Sequence, residues 1–279
     1  MPAETLWHQA LERSHQARAL GQLVPLDTET LALGLEPFLV RRLLSRAPKH
    51  LGAAGPKPNP FLPWEAALEV CRLPTGHVLL LNKYPVQPAH LLVITPDWQP
   101  QSGWLRQADC QAVVDVSADT KGLWFFNSCG AAGASQPHRH LQLLPRHADQ
   151  LRCPLEPHVM RGLAMTADER AFPWAHVLSP RRDPGSAREL LDLVGEHAGR
   201  LGQGPPATHA RPQHPYNLVF TDAWLMTVRR SREHWLGFSI NGLGFAGYLL
   251  ATEGSDLERL QQEGPWQLLK AVAAPCLHG

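Results

Sequence analysis

Net charge is nearly absent from this chain of 279 residues: 26 Lys and Arg against 25 Asp and Glu leave +1. Proteins built to coat nucleic acid carry a clearly basic face, so no nucleic-acid partner is expected. Cysteine is scarce and unpatterned. The five, at positions 71, 110, 129, 153 and 276, make an odd set without C-x-x-C. That argues against a disulfide framework and a zinc ribbon, and for free thiols in a reducing compartment. Long apolar runs are missing: no stretch approaches the ~20 residues needed to cross a bilayer. The opening MPAETLWHQALERSHQARAL lacks the apolar segment and cleavage pattern of a signal peptide. The expectation is a cytoplasmic protein with no membrane partner. Fixed-period repeats and low-complexity tracts are also missing.

What remains is enough for a sizeable core: 44% of residues are hydrophobic, in a chain long enough for one large domain or two small ones. Residues 4–20 read as a helix, free of internal Pro or Gly. Residues 24–35 are ambiguous, and 38–44 read as a strand. A Pro- and Gly-rich stretch over 47–63 reads as a loop. Short apolar runs at 67–73, 77–81 and 90–95 predict strands. A helix is expected over 107–116, then strands at 123–127 and 138–144. Beyond a poorly legible stretch from 146 to 170, the pattern predicts a helix over 190–201 and a Pro-rich linker over 203–215. Strands follow at 216–220 and 224–228, then a helix after Gly247. Runs of strands with segregated helices predict an α+β fold with a largely antiparallel sheet. We read residues 1–279 as a single catalytic unit. An N-terminal segment, 1–160, carries the main motif, and a C-terminal segment, 161–279, completes the site.

The most informative stretch is FFNSCGAAGASQPHRHLQLLP, residues 125–145. His138, His140 and Gln142 are spaced i, i+2, i+4, which in a strand puts them on one face. Leu141 and Leu143 fall on the other. A neutral imidazole is a competent nucleophile near pH 7 and can attack phosphorus to form a covalent intermediate. The preceding small-residue loop lets backbone N–H groups approach phosphate oxygens, and Gln142 adds an uncharged amide donor. H-x-H alone would equally fit surface histidines or a metal site. The glycine-rich approach and Gln142 narrow it to nucleotidyl transfer.

GASQPHRHLQLLP, residues 133–145, resembles the signature of the ATP adenylyltransferases, or diadenosine tetraphosphate phosphorylases. These belong to the histidine-triad-like superfamily, with the galactose-1-phosphate uridylyltransferases. Other segments resemble the family in the same order: NPFLPWE (59–65), HVLLLNKYPV (77–86), HLLVIT (90–95), YNLVFTDAW (216–224) and INGLGFAG (240–247). The resemblance implies a histidine-triad-like α+β fold with helices packed on an antiparallel sheet. It implies phosphorolysis of a dinucleoside polyphosphate, with ATP, ADP and phosphate as the other partners. His140 would be the nucleophile and His138 its support. Gln142 stands where histidine-triad hydrolases carry a third His. Asn127, Gly133, Ala134, Ser135 and Gln136 would hold phosphate oxygens. Asn82 and Lys83 would contact nucleoside or phosphate, and Asn217 would bind substrate. Lys49, with Lys57 as the competing choice, and Arg229 would supply positive charge. No metal ligands and no tightly bound cofactor are expected; Mg²⁺ would come on the polyphosphate. Nothing in the sequence fixes an oligomeric state.

Two departures from the family pattern stand out. Cys129 occupies a position where the family has Gly, so strain is expected there if the backbone needs a positive φ. Arg229 stands where the family has Lys, keeping charge but not shape. Three rivals are weighed against phosphorolysis. A hydrolase using water is disfavoured by Gln142. A sugar-1-phosphate uridylyltransferase is disfavoured by the missing Cys/His zinc spacing. A nucleotide sensor without turnover is disfavoured by the intact His140 and Gln142.

Overall fold

Runs such as Val78–Leu81 and Leu91–Ile94 are apolar at every position, and a strand of this kind is stable only when both its faces are covered. A computed structural model, which describes residues 4–45, 59–145, 153–165 and 171–276, covers them in that way. In chain order it holds α1 (Thr5–Ala19), β1 (Thr28–Thr30), β2 (Leu39–Leu43), β3 (Glu69–Arg72), β4 (Val78–Leu81) and β5 (Leu91–Ile94). Next come α2 (Gln107–Asp119), β6 (Gly122–Asn127), β7 (His140–Pro145), α3 (Glu156–Ala164), β8 (His176–Pro180) and α4 (Ala187–Arg200). The chain continues with β9 (Tyr216–Phe220), β10 (Trp224–Arg229), β11 (His234–Trp235), β12 (Phe238–Ser239), β13 (Tyr248–Ala251), α5 (Leu257–Glu263) and α6 (Pro265–Val272).

Eight strands form one sheet in the order β3-β4-β5-β7-β6-β9-β10-β8, and every neighbouring pair in it is antiparallel. The join between the N-terminal and C-terminal segments is the β6–β9 ladder, where Asn127 meets Asn217. One face of the sheet carries Leu141, Leu143, Trp124, Leu218 and Leu225, packed with residues of α1, α2 and α4. The other face is divided. Phe61, Val78, Leu80, Leu92 and Ile94 form a small cluster at one end. Phe125, Val219, Met226, Val159, Phe245 and Leu269 belong to a large one at the other. Ile94 is paired with His140 and Leu92 with Gln142, while Phe125 pairs with Gln142 from the opposite side. The two polar side chains therefore lie in the seam between two apolar clusters.

Most expected elements are present within a few residues. The chain after Gly247 differs. A helix was expected there, but Tyr248–Ala251 forms β13, parallel to β2, with Leu249 and Ala251 buried and Tyr248 and Leu250 half-covered. That period-2 alternation is a strand signal, and helix α5 begins only at Leu257. β8 and α3 arise in stretches where no element was assigned. Most of the loop expected over 47–63 lies outside the described residues.

Candidate active site

His140 opens β7 and is 3% exposed. Its Nδ1 lies 2.8 Å from the His138 carbonyl oxygen. A carbonyl can only accept, so Nδ1 carries the proton and Nε2 is left with its lone pair. Burial, the largest influence, pushes the imidazole down to about 4 against the upward pull of that hydrogen bond, so the ring is neutral at physiological pH. Among the described residues, no partner engages Nε2. The Phe61 ring stands 5.5 Å from the His140 ring and 5.6 Å from that of His138, helping to keep both dry.

His138 supports its neighbour through its backbone. Its imidazole is fully occupied: Nδ1 accepts from Asn59 Nδ2 at 3.0 Å, which leaves Nε2 as the donor to the Thr95 carbonyl at 2.9 Å and the Thr95 hydroxyl at 2.9 Å. Burial lowers its pKa. Asn59 also accepts from the Phe61 N–H at 3.0 Å, so one side chain anchors both His138 and the residue that shields it.

Two carboxamides flank the nucleophile, and the oxygen of each is already taken. Gln142 Oε1 accepts from His90 Nε2 at 3.0 Å, and His90 Nδ1 accepts from Asn82 Nδ2 at 3.0 Å. Asn82 thus acts through His90 and Gln142, while its own oxygen accepts from the Tyr84 N–H at 3.2 Å. Its Nδ2 keeps a second hydrogen, so this tie leaves room for the expected contact of the half-buried Asn82 with nucleoside or phosphate. On the other side, Asn127 Oδ1 accepts from Asn217 Nδ2 at 2.8 Å and from the Gly242 N–H at 2.8 Å. Both carboxamide NH₂ groups keep donors for a substrate oxygen. Asn217, also expected to bind substrate, is 0% exposed and spends its hydrogen-bonding capacity on protein: Nδ2 also reaches the Ala132 carbonyl at 2.8 Å.

Residues 129–134 curl into a compact turn. The Cys129 carbonyl accepts from the N–H groups of Ala132 at 2.9 Å and Ala134 at 3.0 Å, and the Gly130 carbonyl accepts from Gly133 at 2.8 Å. Gly133 has φ +83°, and a Cβ there would lie 2.7 Å from the Asn241 Cβ, so only glycine fits. Cys129 has φ −166° and ψ −179°. That is extended backbone open to any residue, and the strain expected at Cys129 is not there. Ser135 is exposed, while Ala134 and Gln136 are half-buried, leaving the end of this turn open toward solvent.

Of the expected cations, Arg229 is on the other face of the sheet. Gln142, Phe125, Val219 and Met226 form one row across the sheet. Arg229, three residues on from Met226, faces the opposite side. There it donates from Nη1 to the Leu201 carbonyl at 3.2 Å, at the end of α4. Its expected role against phosphate is incompatible with that orientation. Lys83 pairs with Glu65. Lys49 and Lys57 lie outside the described residues.

Among the residues overlooked in the sequence is Arg230, 2% exposed. Its donors reach Asn217 Oδ1 at 2.6 Å and the carbonyls of Arg232 at 2.7 Å, Ile240 at 2.9 Å, Val272 at 3.1 Å and Ala132 at 3.4 Å. Burial pulls its pKa down to about 10, so it stays charged. Arg230 ties the glycine turn, β9 and the C-terminal segment together. A second buried cluster sits beneath β7. Arg139 donates to Asp109 at 3.0 Å, and His77 Nε2 lies 3.0 Å from the same carboxylate. Burial alone would raise the Asp109 pKa, but the His77 hydrogen bond and the Arg139 charge outweigh it and hold it below the usual range.

A dry, neutral, strand-borne histidine between two donor amides, on an antiparallel sheet backed by helices, is the equipment of a histidine-triad-like nucleotidyltransferase. The Ap4A phosphorylase N-terminal domain model matches residues 1–161, and the ATP adenylyltransferase C-terminal domain model matches residues 170–275. The chain belongs to this Ap4A phosphorylase family. It is 26% identical over 211 residues to diadenosine 5',5'''-P1,P4-tetraphosphate phosphorylase 2 of Saccharomyces cerevisiae, covering 66% of this chain and 65% of that protein. It is likewise 26% identical over 225 residues to Protein APA1 of the same yeast, covering 72% and 68%. The crystal structure of yeast Ap4A phosphorylase Apa2 in complex with Ap4A superposes with a TM-score of 0.73 at 22% identity, over 100% of both chains. The AMP complex gives 0.73 at 23%, again over both full chains.

Proposed function

We propose that the protein transfers an adenylyl group from diadenosine tetraphosphate (Ap4A) to inorganic phosphate. The observation that carries this reading is the state of His140, whose Nδ1–H is committed to the His138 carbonyl at 2.8 Å so that Nε2 keeps its lone pair. In the first step Nε2 attacks an α-phosphorus. A P–N bond forms as the bond to the bridging oxygen breaks, and ATP leaves. As the ring gains positive charge, its Nδ1–H bond to the His138 carbonyl becomes charge-assisted and stronger. In the second step a phosphate oxygen attacks the adenylyl group, ADP leaves and Nε2 is regenerated. An imidazole of low basicity is a good leaving group, which favours this return.

The NH₂ groups of Gln142 and Asn127 are suited to donate to the oxygens of the transferred phosphoryl group, which is charge stabilisation by preorganised dipoles. Neither can transfer a proton, which suits a leaving group and an acceptor that are both already anions. Amides and imidazoles suit phosphate oxygens better than Mg²⁺, a cation that prefers carboxylates. The carboxylates named above are engaged, Asp109 with Arg139 and Glu65 with Lys83. We therefore assign Mg²⁺, where used, to the polyphosphate itself, with Lys49 or Lys57 as the compensating cation. The name of the yeast relative diadenosine 5',5'''-P1,P4-tetraphosphate phosphorylase 2 supports Ap4A as donor. The test is chromatography of products from Ap4A with and without phosphate. ATP plus ADP, formed only with phosphate, is expected. ATP plus AMP regardless of phosphate would make the protein a hydrolase. Retained turnover in His140→Ala would end the covalent mechanism.

A further inference from the structure

The pairing of β6 with β7 stops early. It runs from Gly122↔Pro145 to Phe125↔Gln142. Yet β6 continues beside β9 to Asn127↔Asn217, and β7 continues beside β5 to Ile94↔His140. Each strand goes on; only the ladder between them ends. The side chain of Gln101, 2% exposed, fills the opening. Its Oε1 accepts from the His140 N–H at 2.8 Å, and its Nε2 donates to the His140 carbonyl at 3.1 Å and the Asn127 carbonyl at 2.7 Å.

In an antiparallel ladder, the N–H and C=O of one residue point at the same neighbour. Continued register would make Asn127 that neighbour for His140. Gln101 takes its place, because a primary carboxamide offers a donor and an acceptor on one edge, as a strand residue does. An amide cannot fit between strands at the ~4.8 Å spacing of a direct ladder, so the strands splay where the nucleophile and Asn127 sit. Gln101 is itself braced: its N–H donates to the Pro137 carbonyl at 2.7 Å, and Arg139 donates to the Pro100 carbonyl at 3.1 Å.

We propose that Gln101 is a positioning residue for the transfer reaction. Its carboxamide sets the gap between β6 and β7, and with it the aim of His140 Nε2 at the α-phosphorus, without touching substrate. The inference rests on the Ap4A reading above, and its test separates the two. Gln101→Met removes the wedge's polar edge. Gln101→Glu keeps it only when protonated: the neutral acid can accept from the His140 N–H and donate its O–H to a carbonyl, whereas the carboxylate faces two carbonyl oxygens with nothing to donate. Adenylylation of His140 by Ap4A is measured in a single turnover without phosphate, and the burst amplitude counts competent sites. Misaim by about an ångström lowers a chemical step by up to about 100-fold. We expect Gln101→Met to react 10- to 100-fold more slowly per competent site, with the Ap4A KM within about threefold. The Gln101→Glu rate should fall as pH rises, while the wild-type rate stays level. Rates within twofold of wild type in both variants, a loss carried by KM alone, or a Gln101→Glu profile parallel to wild type would overturn the proposal. If the wild-type protein itself forms no adenylyl-enzyme, the Ap4A reading fails instead. Gln101 is then judged without substrate, by the ring ¹⁵N signals of His140 and hydrogen exchange of its amide. Shifted signals and faster exchange in Gln101→Met support the wedge; unchanged ones overturn it.

Discussion

Adjacent arginines at the end of β10 point to opposite faces of the sheet, and replacing each by methionine should separate a clamp from a bystander. Arg230→Met keeps side-chain length and removes the buried charge. Asn217 Oδ1 and the carbonyls of Arg232 and Ile240 then lose the donors that now reach them at 2.6, 2.7 and 2.9 Å. Two other acceptors are protected: Ala132 keeps the Asn217 amide at 2.8 Å, and Val272 keeps the Ser231 N–H at 3.0 Å. Two orphaned buried acceptors at about 1–3 kcal/mol each, with a smaller cost at the part-buried Arg232 carbonyl, give a loss of about 4 kcal/mol. At about 2–4 °C per kcal/mol for a chain of this size, Tm should drop by roughly 10 °C. Arg229→Met removes one hydrogen bond, of 3.2 Å to the Leu201 carbonyl at the helix end, worth about 1 kcal/mol. Its Tm should move by less than about 5 °C and the KM for Ap4A should not change. The assay is calorimetric melting of both variants beside steady-state kinetics. A tenfold rise of KM in Arg229→Met, with Arg230→Met melting like wild type, would refute the assignment of faces.

Because burial holds His140 near 4, the adenylylation rate should be level from neutral pH down to about pH 5 and fall only as Nε2 gains a proton; an inflection near 6.5 would contradict the dry site. Stability has its own pH dependence: His140 and His197 sit at about 4 and about 3 when folded, both chiefly through burial. The unfolded chain binds these protons first, so stability should fall as pH drops below about 6.5, by up to about 1.4 kcal/mol per pH unit per group, read from urea midpoints. Gln142→His should raise the AMP-to-ADP ratio at fixed phosphate, since an imidazole can pass a proton to or from water; an unchanged ratio removes Gln142 from acceptor choice. Asn82→Leu, which removes the donor to His90 Nδ1, should lower kcat more than it raises the KM for Ap4A; the reverse split would make direct substrate contact the main role of Asn82.

The catalytic row was legible because it is local. His138, His140 and Gln142 lie within a span of five residues, and period 2 decides their face whatever the partner strand. Gly133 was legible as part of the turn, although the reason for it, the Asn241 Cβ at 2.7 Å, belongs to a segment a hundred residues away. The supporting residues were hidden for the same reason. Asn59, His90, Thr95 and Gln101 act across separations of 39 to 79 residues, through hydrogen bonds to His138 or to β7 and its side chains, and no spacing rule connects them. Asn59, His90 and Thr95 did fall inside family-like segments, which marked the neighbourhood but not the partner.

Arg229 and Arg230 mark where local reasoning gives out. Both end a run, WLMTVRR, whose apolar positions are buried on both sides, so the alternation that normally assigns faces is silent. Only register settles it: Met226 shares a row with Gln142, which puts Val228 and Arg230 on the site's face and Arg229 on the helix face. The arginine on the site's face is then spent on carbonyls and Asn217 rather than on phosphate. By holding Asn217 it fixes Asn127, just as Asn82 through His90 fixes Gln142. The two amides beside His140 are thus oriented from opposite halves of the chain, and a transferred phosphoryl group would meet donors that were aimed before it arrived.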